Sequence, residues 1–154
     1  MSADEREERV RELVATVGEA LGLPGAVDVV ADGDGIRAVL QGDDLGLFIG
    51  RHGQTIDAVQ HLAFKAANRD AQRDAAVRVT VDAAGYRARR EQVLHRQADQ
   101  AADKATRNGR PVALDAMSAS ERKVVHEYLK ERGDVETYSE GTEPDRHLVV
   151  APLG

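Results

Sequence analysis

The stretch Ile49-Gly50-Arg51-His52-Gly53-Gln54-Thr55-Ile56 restricts what this chain can fold into more than any other. Two glycines bracket two polar residues, one of them a permanent cation. An apolar run (Leu45, Leu47, Phe48, Ile49) comes before, and helix-period residues (Ile56, Val59, Ala63, Ala66) follow. Glycine at both ends lets the backbone turn sharply and lets another backbone approach, because no Cβ stands in the way. The loop feeds directly into a helix start, where free N–H groups and the positive end of the helix dipole make a seat for a phosphate. Arg51 adds charge and a donor fork for the same anion. A bare Gly-x-x-Gly is usually only a turn, so the surrounding elements decide its meaning.

Those elements are legible in order. Ser2 with Glu5 forms a capping box, and a helix runs to about Leu21 with Val10, Leu13, Val14, Val17 and Leu21 on one face. Gly22 and Pro24 stop it. Strands are expected over 26–31 and 36–40, joined at Asp32-Gly33-Asp34-Gly35, which is hairpin chemistry. Asp44 is placed to cap a short helix over 45–49. The glycine loop follows, then a helix over about 54–68, a polar turn over 69–75 and an alternating strand over 76–82. Three strands with helices on one face make a small α+β domain.

A second unit is expected from Gly85. Tyr86 to about Asn108 reads as a long helix with an alanine-rich apolar stripe and Arg87, Arg89, Arg90 and Arg96 along its first turns. A short strand over 112–114 follows. Ser118 and Glu121 form a second capping box, opening a helix to about Arg132. Strands over 135–139 and 146–151 close the chain as a hairpin around a turn-rich 140–145. On the helix after Ser118, Arg122 and His126 sit four apart and share one side, with Lys123 and Lys130 nearby. Val124, Val125, Tyr128 and Leu129 take the core-facing side. A cation beside an imidazole on a rim suits a phosphate and a stacked base.

Two motifs in this order carry a resemblance. Leu47-Phe-Ile-Gly-Arg-His-Gly-Gln-Thr-Ile-Asp-Ala-Val-Gln resembles the Gly-x-x-Gly segment of a type II KH domain. Tyr86-Arg-Ala-Arg-Arg-Glu, Gly109-Arg-Pro-Val, Glu121-Arg-Lys-Val-Val-His and Val135-Glu-Thr-Tyr-Ser-Glu-Gly resemble the R-3-H domain, named for its Arg-x-x-x-His signature. The pairing resembles the bacterial Jag (KhpB) family over nearly the whole chain. The resemblance implies two domains, a type II KH domain over 1–83 and an R-3-H single-stranded nucleic-acid-binding domain over 84–154. It implies an RNA-binding protein without catalytic activity or cofactor, whose RNA contacts fall on Gly50, Arg51, His52 and Gly53 and on Arg122 and His126. It further implies a post-transcriptional regulator or RNA chaperone linked to cell elongation and division. Partners would be single-stranded RNA, with a second small KH protein or self-association left open. Many relatives carry a further N-terminal domain, whereas this sequence opens on the KH helix, so nothing of that domain's role is carried over.

Composition sets bounds on these expectations. The 154 residues include no cysteine, which removes disulfides and thiolate metal sites and fits a reducing cytoplasm. No apolar run approaches the roughly 18–20 residues of a membrane span, and the charged N-terminus has no signal core. Net charge is −6, carried by the first half: residues 1–83 hold 9 basic and 15 acidic groups, residues 84–154 hold 12 of each. Residues 85–110 hold 7 basic and 3 acidic groups. Nucleic acid senses that local field, since the Debye length is about 8 Å at physiological salt. Catalytic constellations do not assemble. His126-Glu127 starts like a zinc-protease motif, but Lys130 stands where the second histidine is needed. The glycine loop lacks the length and Lys-Ser/Thr ending of a nucleotide P-loop. The alternatives are a single-stranded DNA binder and an interaction scaffold, the latter resting on net acidity and on the long helix from Tyr86.

Overall fold

Helix α1 (Ala3–Ala20) opens with both halves of its capping box in place: Glu5 N–H donates to Ser2 Oγ (3.2 Å) and Ser2 N–H to Glu5 Oε2 (2.9 Å). Val10, Val14 and Gly18, each four apart, form its buried line. The computed structural model describes residues 1–154. The hairpin follows as β1 (Val27–Asp32) and β2 (Gly35–Leu40), registered from Val27 opposite Leu40 to Asp32 opposite Gly35. Asp32 Oδ1 accepts from Asp34 N–H at 2.8 Å and holds the turn. β2 then pairs in parallel with β3 (Val79–Ala83), which requires a long crossover. The crossover is α2 (Gly46–Ile49), a 3-10 turn over Arg51–Gly53, and α3 (Gln54–Ala67). The sheet order is β1-β2-β3. Val10, Val14, Leu40, Phe48, Ile56 and Val81 are fully buried between sheet and helices.

Helix α4 (Tyr86–Asn108) is followed by β4 (Val112–Ala113), α5 (Ala119–Leu129), β5 (Val135–Glu140) and β6 (His147–Pro152). The last three strands form an antiparallel sheet in the order β4-β6-β5. Leu94, Ala98, Ala101 and Ala102 of α4 pack with Val125, Leu129, Leu148 and Val150. The alanine stripe is therefore spent inside its own unit, which removes the main argument for a scaffold helix. The chain divides into two compact units, Met1–Arg87 and Ala88–Gly154. The fold is α+β in two small domains, a three-stranded sheet with helices followed by a long helix, a shorter helix and a second three-stranded sheet.

Four local expectations change. Asp44 does not cap α2: it has φ +54°, and Leu45 stands at the cap without a side-chain bond. The third strand begins at Val79 rather than Ala76, because the Asn68 side chain takes the backbone of Val77. Val77 N–H donates to Asn68 Oδ1 (2.8 Å) and Asn68 Nδ2 donates to the Val77 carbonyl (2.9 Å). Only half of the second capping box forms. Ser118 Oγ accepts from Glu121 N–H (3.3 Å), but the Glu121 carboxylate turns to Arg90 at 2.7 and 3.2 Å. Helix α5 ends at Leu129, short of Arg132, as Arg132 N–H tightens onto the Leu129 carbonyl.

Candidate nucleic-acid interface

The loop between α2 and α3 is built from backbone that ordinary residues avoid. Gly50 has φ +76° and ψ 175°, a region open to glycine almost alone, and Gly53 lies in the left-handed region at φ +78°. A Cβ on Gly50 would stand 2.3 Å from Thr55 Oγ1, and one on Gly53 would stand 2.4 Å from Tyr86 Oη. Both glycines are thus fixed by conformation and by contact. His52, with φ +54°, is one of three non-glycine residues held at positive φ. Arg51 and His52 between the glycines are exposed, and neither forms a hydrogen bond or ion pair within the chain. No side chain caps α3, so its first-turn N–H groups have no side-chain acceptor. The arrangement offers a backbone concavity, uncapped donors and one permanently charged fork to an anion.

Few of the apolar residues around the loop are left to meet a ligand. Ile56 is fully buried in the core and cannot meet a base, while Ile49 is partly buried. Leu47 on α2, 66% exposed, is the apolar side chain that faces solvent ahead of Gly50. The apolar run contained it, but periodicity did not say which member would be left out of the core. Arg87, counted as a surface cation, is consumed: its guanidinium donates to Asp57 Oδ1 (2.6 Å), Gln60 Oε1 (3.0 Å) and the Val81 carbonyl (3.1 Å). It ties α3 to β3 behind the loop. Asp82, 3% exposed, accepts from Arg37 at 3.0 Å and from the backbone N–H groups of Ala83 and Arg87.

In the second unit Arg122 and His126 do share one side of α5, but they are not an open pair. The Arg122 side chain is only 11% exposed. One arm of its fork donates to the Met117 carbonyl (2.6 Å) and the other to Glu143 Oε1 (2.7 Å) in the β5–β6 turn. His126 Nδ1 is hydrogen-bonded to Thr137 Oγ1 on β5. Lys123 is exposed, and Lys130 pairs with Glu127 at 3.3 Å. Glu143 is itself 60% exposed, so an incoming phosphate meets a carboxylate already seated on Arg122. That competitor lies 21 residues away in sequence, where spacing gives no signal.

Comparison with known proteins places these units. Residues 10–81 match the family model described as KhpA/KhpB, KH domain, and residues 92–152 match the R-3-H domain. Relatives named RNA-binding protein KhpB are similar to this chain in sequence. The one from Clostridium symbiosum is 38% identical over 112 residues, 73% of this chain and 50% of its own. That of Bacillus subtilis (strain 168) is 33% identical over 138 residues, 88% and 65% of the two chains. The chain carries the KH domain of the KhpA/KhpB family and an R-3-H domain. Lactiplantibacillus plantarum has a KhpB protein 42% identical over 106 residues, 69% of this chain and 32% of that one. This chain therefore spans between about a third and two thirds of the KhpB relatives it matches. KH and R-3-H domains are binding domains rather than catalytic ones, and no helix here is long and apolar enough to cross a membrane.

Proposed function

We propose that this chain binds single-stranded RNA, gripping the sugar-phosphate backbone with Gly50, Arg51, His52 and Gly53 and adding Arg122 and His126 from the R-3-H domain. The observation that carries the reading is the loop itself: two glycines that tolerate no Cβ, enclosing the unengaged Arg51 and His52, ahead of an uncapped helix. The name RNA-binding protein KhpB borne by its relatives supports RNA as the ligand. About four nucleotides lie along such a loop. With few aromatics, base contacts are hydrogen bonds and aliphatic packing on residues such as Leu47 and Ile49. In the cell the chain acts in the cytoplasm as a post-transcriptional regulator or RNA chaperone in elongation and division. A second small KH protein, or a second copy, is its protein partner, supported by the exposed Val30 on strand β1 and Leu62 on α3.

The test is fluorescence anisotropy with short single-stranded RNA, the matching DNA and duplex RNA at two salt concentrations. Single-stranded RNA is expected to bind best and to weaken with salt. Arg51→Asp with His52→Asp is expected to lose affinity about tenfold, roughly 1.4 kcal/mol. Both sites are exposed, and aspartate tolerates the left-handed backbone of position 52. Unchanged RNA binding by this variant overturns the loop assignment, and preference for the DNA favours the single-stranded DNA reading. For the second site, Glu143→Ala leaves Arg122 in place but removes its competitor. RNA affinity is expected to rise about two- to fivefold, the worth of an exposed ion pair. Unchanged affinity would make Arg122 a structural residue only.

A further inference from the structure

Helix α4 sorts its charges in an unusual way. Its buried stripe is Leu94, Ala98, Ala101, Ala102 and Ala105. At about 100° per residue, Arg96, Gln100 and Arg107 fall on the opposite face, with Lys104 on its flank, and all four are exposed. Arg96, Lys104 and Arg107 form no hydrogen bond or ion pair within the chain. The other charges nearby are occupied. Arg87 is held by Asp57 and Arg90 by Glu121. Glu91 pairs with His95 at 3.6 Å. Asp99 accepts the Tyr128 hydroxyl at 2.8 Å, and Asp103, at the border of the basic face, accepts from Arg132 at 2.9 Å. Arg132 thus neutralises the acidic flank of α4. Carboxylates outnumber basic side chains 27 to 21 in this chain, yet none is paired with these three cations. A solvated helix face in an acidic protein does not need that segregation, whereas a polyanion does.

From this we infer that the Arg96–Lys104–Arg107 ridge is a third phosphate-binding surface, a track for the backbone of single-stranded RNA that lies outside both the glycine loop and the Arg122–His126 pair. The inference rests on the RNA-binding reading above. The ridge spans about 16 Å of helix axis between Arg96 and Arg107, long enough to meet several phosphates in succession. It carries point charges and guanidinium forks but no aromatic side chain, so it reads charge and not sequence.

Arg96→Gln, Lys104→Gln and Arg107→Gln combined test this in the full chain, with fluorescein-labelled polyuridine as the probe. Glutamine keeps length and helix propensity at exposed positions, so far-UV circular dichroism is expected to stay unchanged. Losing three phosphate contacts is expected to lower the slope of log affinity against log salt by about 2 and affinity at moderate salt about tenfold or more. As an independent readout, a photo-crosslinking residue at Gln100 is expected to capture the RNA, and one at the exposed Asp4 of α1 is not. If wild type binds the RNA while the triple variant keeps its affinity and slope, or Gln100 captures no more RNA than Asp4, the ridge is a solvated face and the proposal falls. If wild type binds no RNA at any salt, the RNA-binding reading fails first and the ridge with it.

Discussion

Gly50 shows how much of a loop is decided by what is missing from one residue. Its φ of +76° with ψ of 175° already costs a side-chain-bearing residue about 1–3 kcal/mol. An added Cβ would also meet the Thr55 Cβ and backbone nitrogen at 2.8 Å each, neither of which is the free end of a flexible chain. Gly50→Ala is therefore expected to destabilise the first unit by about 2–4 kcal/mol in urea unfolding. Gly109→Ala makes the comparison, because it has φ +63° but nothing within 4 Å of the new Cβ. It is expected to cost only about 1–2 kcal/mol. Equal losses at the two sites would mean that the Thr55 contact carries no weight. The need for glycine at both ends of the loop was legible in the sequence, since Gly-x-x-Gly between apolar and helical segments demands it. The separate contacts with Thr55 and Tyr86 were not, because Tyr86 reaches Gly53 across more than thirty positions. The same limit applies to Arg122. The motif it sits in raises the expectation of a nucleic-acid contact, but its occupancy by Glu143 depends on where a distant hairpin turn comes to rest.

At the scale of elements, α4 and α5 are joined by a polar seam as well as by alanine packing. The Tyr128 ring stacks on His95 with centroids 3.9 Å apart and 9° between planes. Its hydroxyl donates to Asp99, and this bond, aided by burial and by the Asp99 charge, raises the phenol above its ordinary value of 10.0. A group whose folded value is raised adds stability that is fully present below the unfolded value and is lost as pH rises through the folded one. The urea midpoint of the second unit is thus expected to fall as pH climbs above about 10, and Tyr128→Phe is expected to flatten that part of the fall. Parallel curves for the two proteins would show that the bond to Asp99 adds nothing. Asp134 works in the opposite sense: hydrogen bonds from Arg132 hold its carboxyl below the usual range, so its contribution is present at neutral pH and lost in acid. Element order and type were legible here because the periods of strand and helix are distinct over long stretches. Boundaries were not, wherever a side chain replaced the backbone partner. Asn68 satisfying Val77 delays the third strand, and the Arg90–Glu121 pair breaks the second capping box; neither alters the apolar pattern.

For the whole molecule, a net charge of −6 weighs against a polyanion, but nucleic acid meets the local surface and not the total, so the placement of the ion pairs matters. Carboxylates at Asp57, Asp82, Glu121 and Asp103 are matched to basic residues, while Arg51, Arg96, Lys104 and Arg107 face solvent without a partner. On the proposed RNA-binding reading, two modest binding units on one chain gain through effective concentration, since the second contact becomes intramolecular. The consequence is a dependence on RNA length. A strand of about four nucleotides fills one glycine loop and no more. A strand long enough to engage both domains is expected to bind about 10²–10⁴ times more tightly, with a steeper salt dependence because more phosphates are neutralised. Arg51→Asp with His52→Asp is expected to abolish most of that gain while leaving the weak affinity of the second unit. Anisotropy over a ladder of RNA lengths decides the matter. A step in affinity at one length, lost in the loop variant, means that one strand is held at both places. A smooth rise that the loop variant shares means that longer strands merely offer more places to land, and that the two domains act separately.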